Sequence, residues 1–312
     1  MKASAFRVAV LPSNQPEYEA AIKAGGGTIG VAGDALDGLV WTDSQGVEAL
    51  SATLQRYESI RWVQLPFAGV DNFKPVFDSI RMLGRDLTFT SAKGAYREPV
   101  AEHALTLALA LARALPERIV AKSWGRKFAA TLFDSKVLVV GGGGIAEELI
   151  RLLNPFRASI SVVRREVQGM NGVERVEGLS ELDNLLPDAD FVFVTCALTE
   201  ETRGMFDARR FALMKRTSYL INIARGGIVQ TGALEAALRE GSIAGAGIDV
   251  TDPEPLPDGH SLWGAPNLII TPHTADTPEM CIRLLSQRIL ENTAKQIARV
   301  PLVGQVNLKL GY

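Results

Sequence analysis

Short apolar runs alternate with amphipathic stretches along the whole chain, and each run has the length of a strand. In the first third they predict strands at residues 7–11, 38–41, 61–65 and 87–90, separated by helices around 17–24, 47–54 and 73–80. Strands that alternate regularly with helices are typical of parallel α/β folds.

A second alternating series follows a long helix that is predicted over 99–115 and has Pro99 in its first turn. It predicts a helix at 144–153, a last helix at 278–299 and strands at 136–140, 160–163, 191–194, 219–223, 245–250 and 268–271. The two series predict two doubly wound parallel-sheet domains. One spans residues 98–282 and is inserted between residues 1–97 and 283–312 of the other.

Composition narrows the functional classes. The chain has 312 residues, is 47% hydrophobic and has a formal net charge of -2, which gives no electrostatic reason to expect nucleic acid or an anionic membrane as partner. The N-terminus reads as a first strand rather than a signal peptide, and the apolar run at 100–115 is too short to span a bilayer. Cys196 and Cys281 match no metal-site spacing and predict free thiols in a reducing compartment. We therefore expect a cytoplasmic protein without a metal.

The segment 137–150 reads as a strand, a glycine turn and a helix. Gly141, Gly143 and Ala146 occupy the three positions of the G-x-G-x-x-G/A fingerprint of dinucleotide sites. The helix after Gly143 would present free N–H groups to a pyrophosphate. Four consecutive glycines are also compatible with a merely flexible turn, and the flanking strand and helix favour the nucleotide interpretation.

Two arginines occupy the position at which NAD sites usually have an acid. Arg164, with Arg165 next, lies 18 positions beyond Ala146. A guanidinium cannot accept a hydrogen bond from a ribose 2′-hydroxyl, but it suits a 2′-phosphate. The alternative is an ordinary exposed basic turn. The register favours NADP(H) over NAD(H).

Three polar residues each follow a predicted strand in the second series. Arg225 suits a substrate carboxylate, His273 can transfer a proton, and Glu254 can orient that imidazole. Taken singly, each of these residues is more simply explained as an ordinary residue of a surface loop. Parallel strands bring their carboxyl ends to one edge of a sheet, so together they predict an active site for reversible reduction of a 2-oxo acid.

These segments resemble the D-isomer-specific 2-hydroxyacid dehydrogenases over nearly the whole chain. The matching stretches are VVGGGGIAEEL, ADFVFVTCALTEETRG, MKRTSYLINIARGGIVQTGALEAAL, IAGAGIDVTDPEP and PNLIITPHT. The spacing agrees as well, with 29 residues from Arg225 to Glu254 and 19 from there to His273. The resemblance implies a Rossmann cofactor domain inserted into a flavodoxin-like substrate domain.

The resemblance also implies residue roles. Arg225, Glu254 and His273 would be catalytic, and Asp249 would hydrogen-bond the nicotinamide carboxamide. The substrate carboxylate would bind near Ala68 and Gly69 as well as Arg225. The expected cofactor-binding set comprises Gly141, Gly143, Gly144, Ile145, Arg164, Arg165, Cys196, Ala197, Ile223, Ala224 and Asp249. The segment from Ala95 to Arg113 matches the long helix that packs against a second subunit, which implies a homodimer.

The sequence therefore predicts an oxidoreductase that transfers a hydride between NADP(H) and a small 2-oxo or D-2-hydroxy acid, such as a glyoxylate or hydroxypyruvate reductase. The side chain of the substrate stays open. Asp276 would repel a second carboxylate if it faced the pocket and would have no role if it faced solvent. A formate dehydrogenase is disfavoured, because glutamine rather than Glu254 would be expected there. The alternative from another class is a non-catalytic dinucleotide sensor resembling the corepressors of this fold.

Overall fold

The computed structural model describes residues 5–31, 35–43 and 45–309, which form two compact units. The strands are β1 (Arg7–Leu11), β2 (Thr28–Ile29), β3 (Gly38–Trp41), β4 (Trp62–Gln64), β5 (Thr88–Thr90), β6 (Lys136–Val140), β7 (Ser159–Val163), β8 (Arg175–Glu177), β9 (Phe191–Val194), β10 (Tyr219–Asn222), β11 (Gly245–Ile248) and β12 (Leu268–Ile270). The helices are α1 (Pro16–Ala24), α2 (Val47–Arg56), α3 (Lys74–Met82), α4 (Arg97–Ala112), α5 (Leu115–Arg118), α6 (Gly144–Leu153), α7 (Leu182–Leu185), α8 (Ala208–Leu213), α9 (Thr231–Arg239) and α10 (Pro278–Ala298).

The first unit joins Met1–Tyr96 to Thr277–Tyr312. Its described strands form one parallel sheet in the order β2-β1-β3-β4-β5, which is the flavodoxin-like order. All four residues of β3 and all three of β4 are buried, as expected for a parallel sheet covered on both faces. The core around this sheet includes large side chains such as Trp41, Phe77 and Phe89.

The second unit, Arg97–Asp276, is inserted into the first. Its parallel sheet has the order β12-β11-β10-β9-β6-β7-β8. Numbered from β6, six of these strands follow the Rossmann order 3-2-1-4-5-6, and β12 extends the sheet. The strand order reverses between β6 and β9, and ligands bind at such a switch point in open α/β sheets. The predicted fold class of two doubly wound parallel sheets is confirmed.

The sequence pattern overlooked several short elements. Strands β2 and β8 lie at sheet edges. β2 has only two residues and β8 reads Arg-Val-Glu, so neither contains an apolar run. Helix α4 ends at Ala112 rather than at Leu115, because Ala114 adopts a left-handed φ of 52°. The inserted unit begins at Arg97 and ends at Asp276, whereas the sequence predicted residues 98 and 282. All of α10 therefore belongs to the first unit.

Candidate active site

The glycine turn after β6 needs glycine at its first position. Gly141 has a φ of 119°, and a Cβ there would lie 2.6 Å from Thr195 Oγ1 and 2.7 Å from the backbone nitrogen of Cys196. The backbone N–H of Gly141 donates to the carbonyl of Val163 at 2.8 Å. The turn is therefore wedged between the carboxyl ends of β7 and β9, and any side chain at Gly141 would force these ends apart.

The next two fingerprint positions behave differently. Gly143 precedes α6 in an extended conformation, and a Cβ on it would meet no atom within 4 Å. Ala146 is fully buried in the first turn of α6. The backbone at Gly143 is thus open to a close ligand, and the N–H groups at the start of α6, which begins with Gly144 and Ile145, favour an anion. This arrangement fits the pyrophosphate of a dinucleotide.

Arg164 follows β7 directly and lies over the glycine turn. A Cβ built on Gly142 would be 2.8 Å from its Cδ and 2.9 Å from its Nε. Its backbone N–H donates to the carbonyl of Glu177 at 2.9 Å, which ties the residue to β8. Arg165 is exposed beside it. The structure therefore brings the Arg164 side chain, a cation, to the glycine turn.

The residues that follow β9 and β10 lie at the carboxyl ends of these two strands, next to the glycine turn after β6. Ile223 and Ala224 are buried, whereas Ala197 is exposed and Cys196 is half-buried. Burial raises the pKa of the Cys196 thiol to about 12, so the sulfur stays protonated at neutral pH and is a poor nucleophile. Cys196 and Cys281 are both free thiols.

A buried asparagine shapes the turn that holds Arg225. Asn222, the last residue of β10, donates from Nδ2 to the carbonyl of Arg225 at 3.1 Å. Its Oδ1 accepts the N–H of Ala224, also at 3.1 Å. Arg225 is half-buried and donates from Nη1 to the carbonyl of Ala224 at 2.8 Å. No sequence feature singles out Asn222, because a polar residue at a strand end has many possible roles.

The turn after Arg225 packs against the loop after β11. A Cβ on Gly226 would overlap the carbonyl group of Thr251 and lie 2.7 Å from the nitrogen of Asp252. The strands beneath are paired, with Asn222 opposite Ile248. Because both segments leave adjacent parallel strands in direct contact, the structure brings the loops of Arg225 and Glu254 together.

Glu254 and His273 are in hydrogen-bond contact. His273 Nδ1 lies 2.6 Å from Glu254 Oε1, and Glu254 Oε2 accepts the N–H of Thr251 at 3.3 Å. The two side chains are 41% and 44% exposed for glutamate and histidine, so both are accessible to a ligand. His273 adopts a left-handed φ of 50°, and its N–H donates to the carbonyl of Asp249 at 2.8 Å. The ring is thus oriented through Nδ1, which leaves Nε2 for a substrate.

Asp249 lies behind this pair and is only 2% exposed. Its Oδ1 accepts from Thr271 Oγ1 at 2.5 Å and from the N–H of Thr274 at 2.9 Å, and its Oδ2 accepts from the N–H of Ala275 at 3.0 Å. Burial alone would raise the pKa of Asp249, but hydrogen bonds from His103, Thr271 and these two amides hold it below its ordinary value. A nicotinamide carboxamide would have to share oxygens that protein donors already engage.

Ala68 and Gly69 lie in the first unit, in the loop after β4. Both are half-buried. The loop is anchored just before them, since the N–H of Ala92 donates to the carbonyl of Phe67 at 2.9 Å and Tyr96 Oη donates to the carbonyl of Pro66 at 2.7 Å. These bonds fix the chain immediately before the predicted carboxylate-binding residues.

Between residues 5 and 309, leaving out 32–34 and 44, three or more His, Cys, Asp or Glu side chains nowhere gather as a metal site would require. None of the helices there is both long and apolar enough to cross a membrane.

Comparison with known proteins assigns the family. Residues 105–275, just over half of the chain, match the model of the NAD-binding domain of D-isomer-specific 2-hydroxyacid dehydrogenases. The chain belongs to this family. It is therefore an oxidoreductase, and the resemblance seen in the sequence is confirmed.

Individual proteins are similar to this D-2-hydroxyacid dehydrogenase over most of its length. An uncharacterized protein of Corynebacterium melassecola is 32% identical over 82% of the chain and 84% of that protein. A glyoxylate reductase/hydroxypyruvate reductase of Mus musculus is 34% identical over 69% of the chain and 67% of that protein. Among solved structures, a D-isomer-specific 2-hydroxyacid dehydrogenase of Xanthobacter autotrophicus, in complex with NADPH and MES, has a TM-score of 0.82 at 27% identity and covers 99% of this chain and 100% of its own.

Proposed function

We propose that this dehydrogenase reduces a small 2-oxo acid to the D-2-hydroxy acid and prefers NADPH as its hydride source. The observation that carries the proposal is the 2.6 Å contact between His273 Nδ1 and Glu254 Oε1 at the carboxyl edge of the nucleotide sheet. A histidine oriented by a carboxylate at such an edge is suited to proton transfer.

In this proposal each polar residue has one task. Arg225 binds the substrate carboxylate through its guanidinium and polarises the adjacent carbonyl. The dinucleotide, when bound, supplies a hydride to C2. Protonated His273 donates its Nε2 proton to the carbonyl oxygen, and Glu254 stabilises the imidazolium and fixes the ring through Nδ1. Oxidation of the hydroxy acid would use the same groups in reverse, with His273 accepting the proton.

The preference for NADPH rests on Arg164. Its side chain packs over Gly142, so its guanidinium lies beside the turn that would receive the pyrophosphate. Arg165 adds a second cation next to it. A similar dehydrogenase of Xanthobacter autotrophicus was crystallised with NADPH, which supports this cofactor. The expected contacts of Cys196, Ala197, Ile223, Ala224 and Asp249 with the nucleotide belong to the same proposal.

The proposed substrate is a short 2-oxo acid of the glyoxylate or hydroxypyruvate type, because a related protein carries both of these substrates in its name. Ala68 and Gly69 in the first unit, and Arg225 in the second, are the residues proposed to bind the substrate carboxylate. The test follows the nicotinamide absorbance with glyoxylate, hydroxypyruvate, pyruvate and bulkier 2-oxo acids, each with NADPH and with NADH. Turnover of a short acid, faster with NADPH, is expected. If NADPH binds but no 2-oxo acid is reduced, the alternative of a non-catalytic dinucleotide sensor would be favoured instead.

We also propose a homodimer formed through the inserted unit. The segment after α4 exposes large apolar side chains, with Ile119 78% and Trp124 90% accessible. Burial against a second copy would remove these apolar side chains from water. Sedimentation at micromolar concentration should show a dimer, and a pure monomer would contradict this. The two free thiols support a cytoplasmic location, which cell fractionation can test.

A further inference from the structure

The segment that carries His273 is wrapped around the carboxylate of Asp249. Thr271 Oγ1, the N–H of Thr274 and the N–H of Ala275 all donate to this carboxylate, while the N–H of His273 donates to the Asp249 carbonyl. The left-handed backbone of His273 is therefore enclosed on both sides by bonds to one residue. Whatever fixes Asp249 also fixes the ring that faces the substrate.

One side chain from outside this segment reaches the cluster. His103, on α4, places Nε2 2.9 Å from Thr271 Oγ1 and 3.5 Å from Asp249 Oδ1. The ring is 19% exposed, and Asp249 is buried. Helix α4 can bring it so close because it packs on glycines of β11, where a Cβ on Gly247 would lie 2.9 Å from Leu107.

The proton count settles the direction of these bonds. A hydroxyl has one proton, and Thr271 Oγ1 gives it to Asp249 Oδ1 at 2.5 Å. The same oxygen must then accept at 2.9 Å from His103, so His103 has a proton on Nε2 in its neutral form. A relay of donors thus runs from His103 through Thr271 to the buried carboxylate that holds the His273 segment.

We propose that His103 is a positioning residue, which holds Thr271 and Asp249 in the arrangement that presents His273 to the substrate. The inference deepens the proposed function and rests on it for the activity measurements. His103 touches neither Glu254 nor the reacting atoms in this scheme. Its loss should therefore lower the rate of the chemical step. Because Asp249 is also an expected nicotinamide contact, kcat is compared at saturating NADPH.

A matched pair of variants tests this. In His103→Gln the amide nitrogen can take the place of Nε2 and still donate to Thr271, whereas in His103→Asn it corresponds to Nδ1 and falls short. We expect His103→Gln to keep kcat within about threefold, and His103→Asn to lose up to about 10²-fold, the order of loss that slight misplacement of a reacting group causes. Fluorescence titration with NADPH gives the Kd of each variant, so that kcat is measured at saturation, and the stoichiometry of the titration gives the concentration of folded protein.

Histidine NMR provides a readout that needs no turnover. The chain has three histidines, so selective 15N labelling resolves each ring. In the unmodified protein at pH 8 we expect His103 to be the Nε2–H tautomer, and in His103→Asn, but not in His103→Gln, we expect the His273 ring signals to shift. An Nδ1–H tautomer, unmoved His273 signals, or equal kcat in the two variants would each overturn the proposal. If no 2-oxo acid is reduced at all, the proposed function fails, while the tautomer and the His273 shift still decide the role of His103.

Discussion

Replacing Gly143 with alanine should separate cofactor binding from folding. A methyl group there meets no atom within 4 Å, and the backbone at φ -91° and ψ -174° is open to alanine. The fold should therefore tolerate the change and gain about 0.4–1 kcal/mol from the lower entropy of the unfolded chain. The methyl group would, however, occupy the space through which the pyrophosphate approaches the backbone at the start of α6.

The expected loss of affinity follows from the contact that the methyl group blocks. A hydrogen bond between a backbone N–H and a charged phosphate contributes about 1.5–3 kcal/mol. Loss of one such bond corresponds to an increase of roughly 10- to 150-fold in the Kd for NADPH. Fluorescence titration of NADPH measures this, and thermal unfolding without cofactor measures the stability of the same sample.

Two matched variants complete the experiment. Gly232→Ala, in α9, also adds a methyl group that meets nothing within 4 Å, and it should leave the Kd unchanged. Gly141→Ala, at a φ of 119° and against Thr195, should destabilise the fold by about 1–3 kcal/mol. If Gly143→Ala binds NADPH as tightly as the unmodified protein, the nucleotide phosphates do not bind at this turn and the reasoning is refuted.

Four other substitutions have distinct expected outcomes. Arg164→Asp should shift the ratio of kcat/KM from NADPH toward NADH, and equal kcat/KM with both cofactors before mutation would contradict the idea. His273→Ala should lower kcat by about 10²–10⁴-fold with NADPH binding intact, and a smaller loss would exclude it as the proton donor. Gly226→Ala should lower both the unfolding temperature and activity, because its Cβ overlaps the Thr251 carbonyl; normal values would contradict that packing. Asp249→Asn should unfold at a lower temperature at pH 7. The pKa of Asp249 in the folded protein is lowered from 3.8, so the difference in unfolding temperature between the variant and the unmodified protein should shrink as the pH falls through that lowered pKa. A difference in unfolding temperature that persists in acid would contradict a stabilising role of the Asp249 carboxylate.

Much of the fold follows from local features of the chain. Strands β6 and β9 consist almost entirely of apolar residues, and the glycines between β6 and α6 permit a turn that other residues disfavour. The strands and the turn can therefore be predicted from the local sequence alone. The order of Arg225, Glu254 and His273 after successive strands already indicated one sheet edge. These inferences succeed because periodicity and backbone preference act over a few residues.

The tertiary structure alone decided which distant residues meet. The edge strands β2 and β8 exist through pairing with a neighbour, since their few residues have little intrinsic preference. Thr271, Asn222 and His103 lie within stretches that carry the family resemblance, but no sequence feature assigns them a role. Their contacts appear only when β10, β11, β12 and α4 pack together. A hydrogen bond between side chains far apart in sequence depends on the register and spacing of whole strands and helices. That register is set by the packing of all these elements against one another, and no single segment of the sequence determines it.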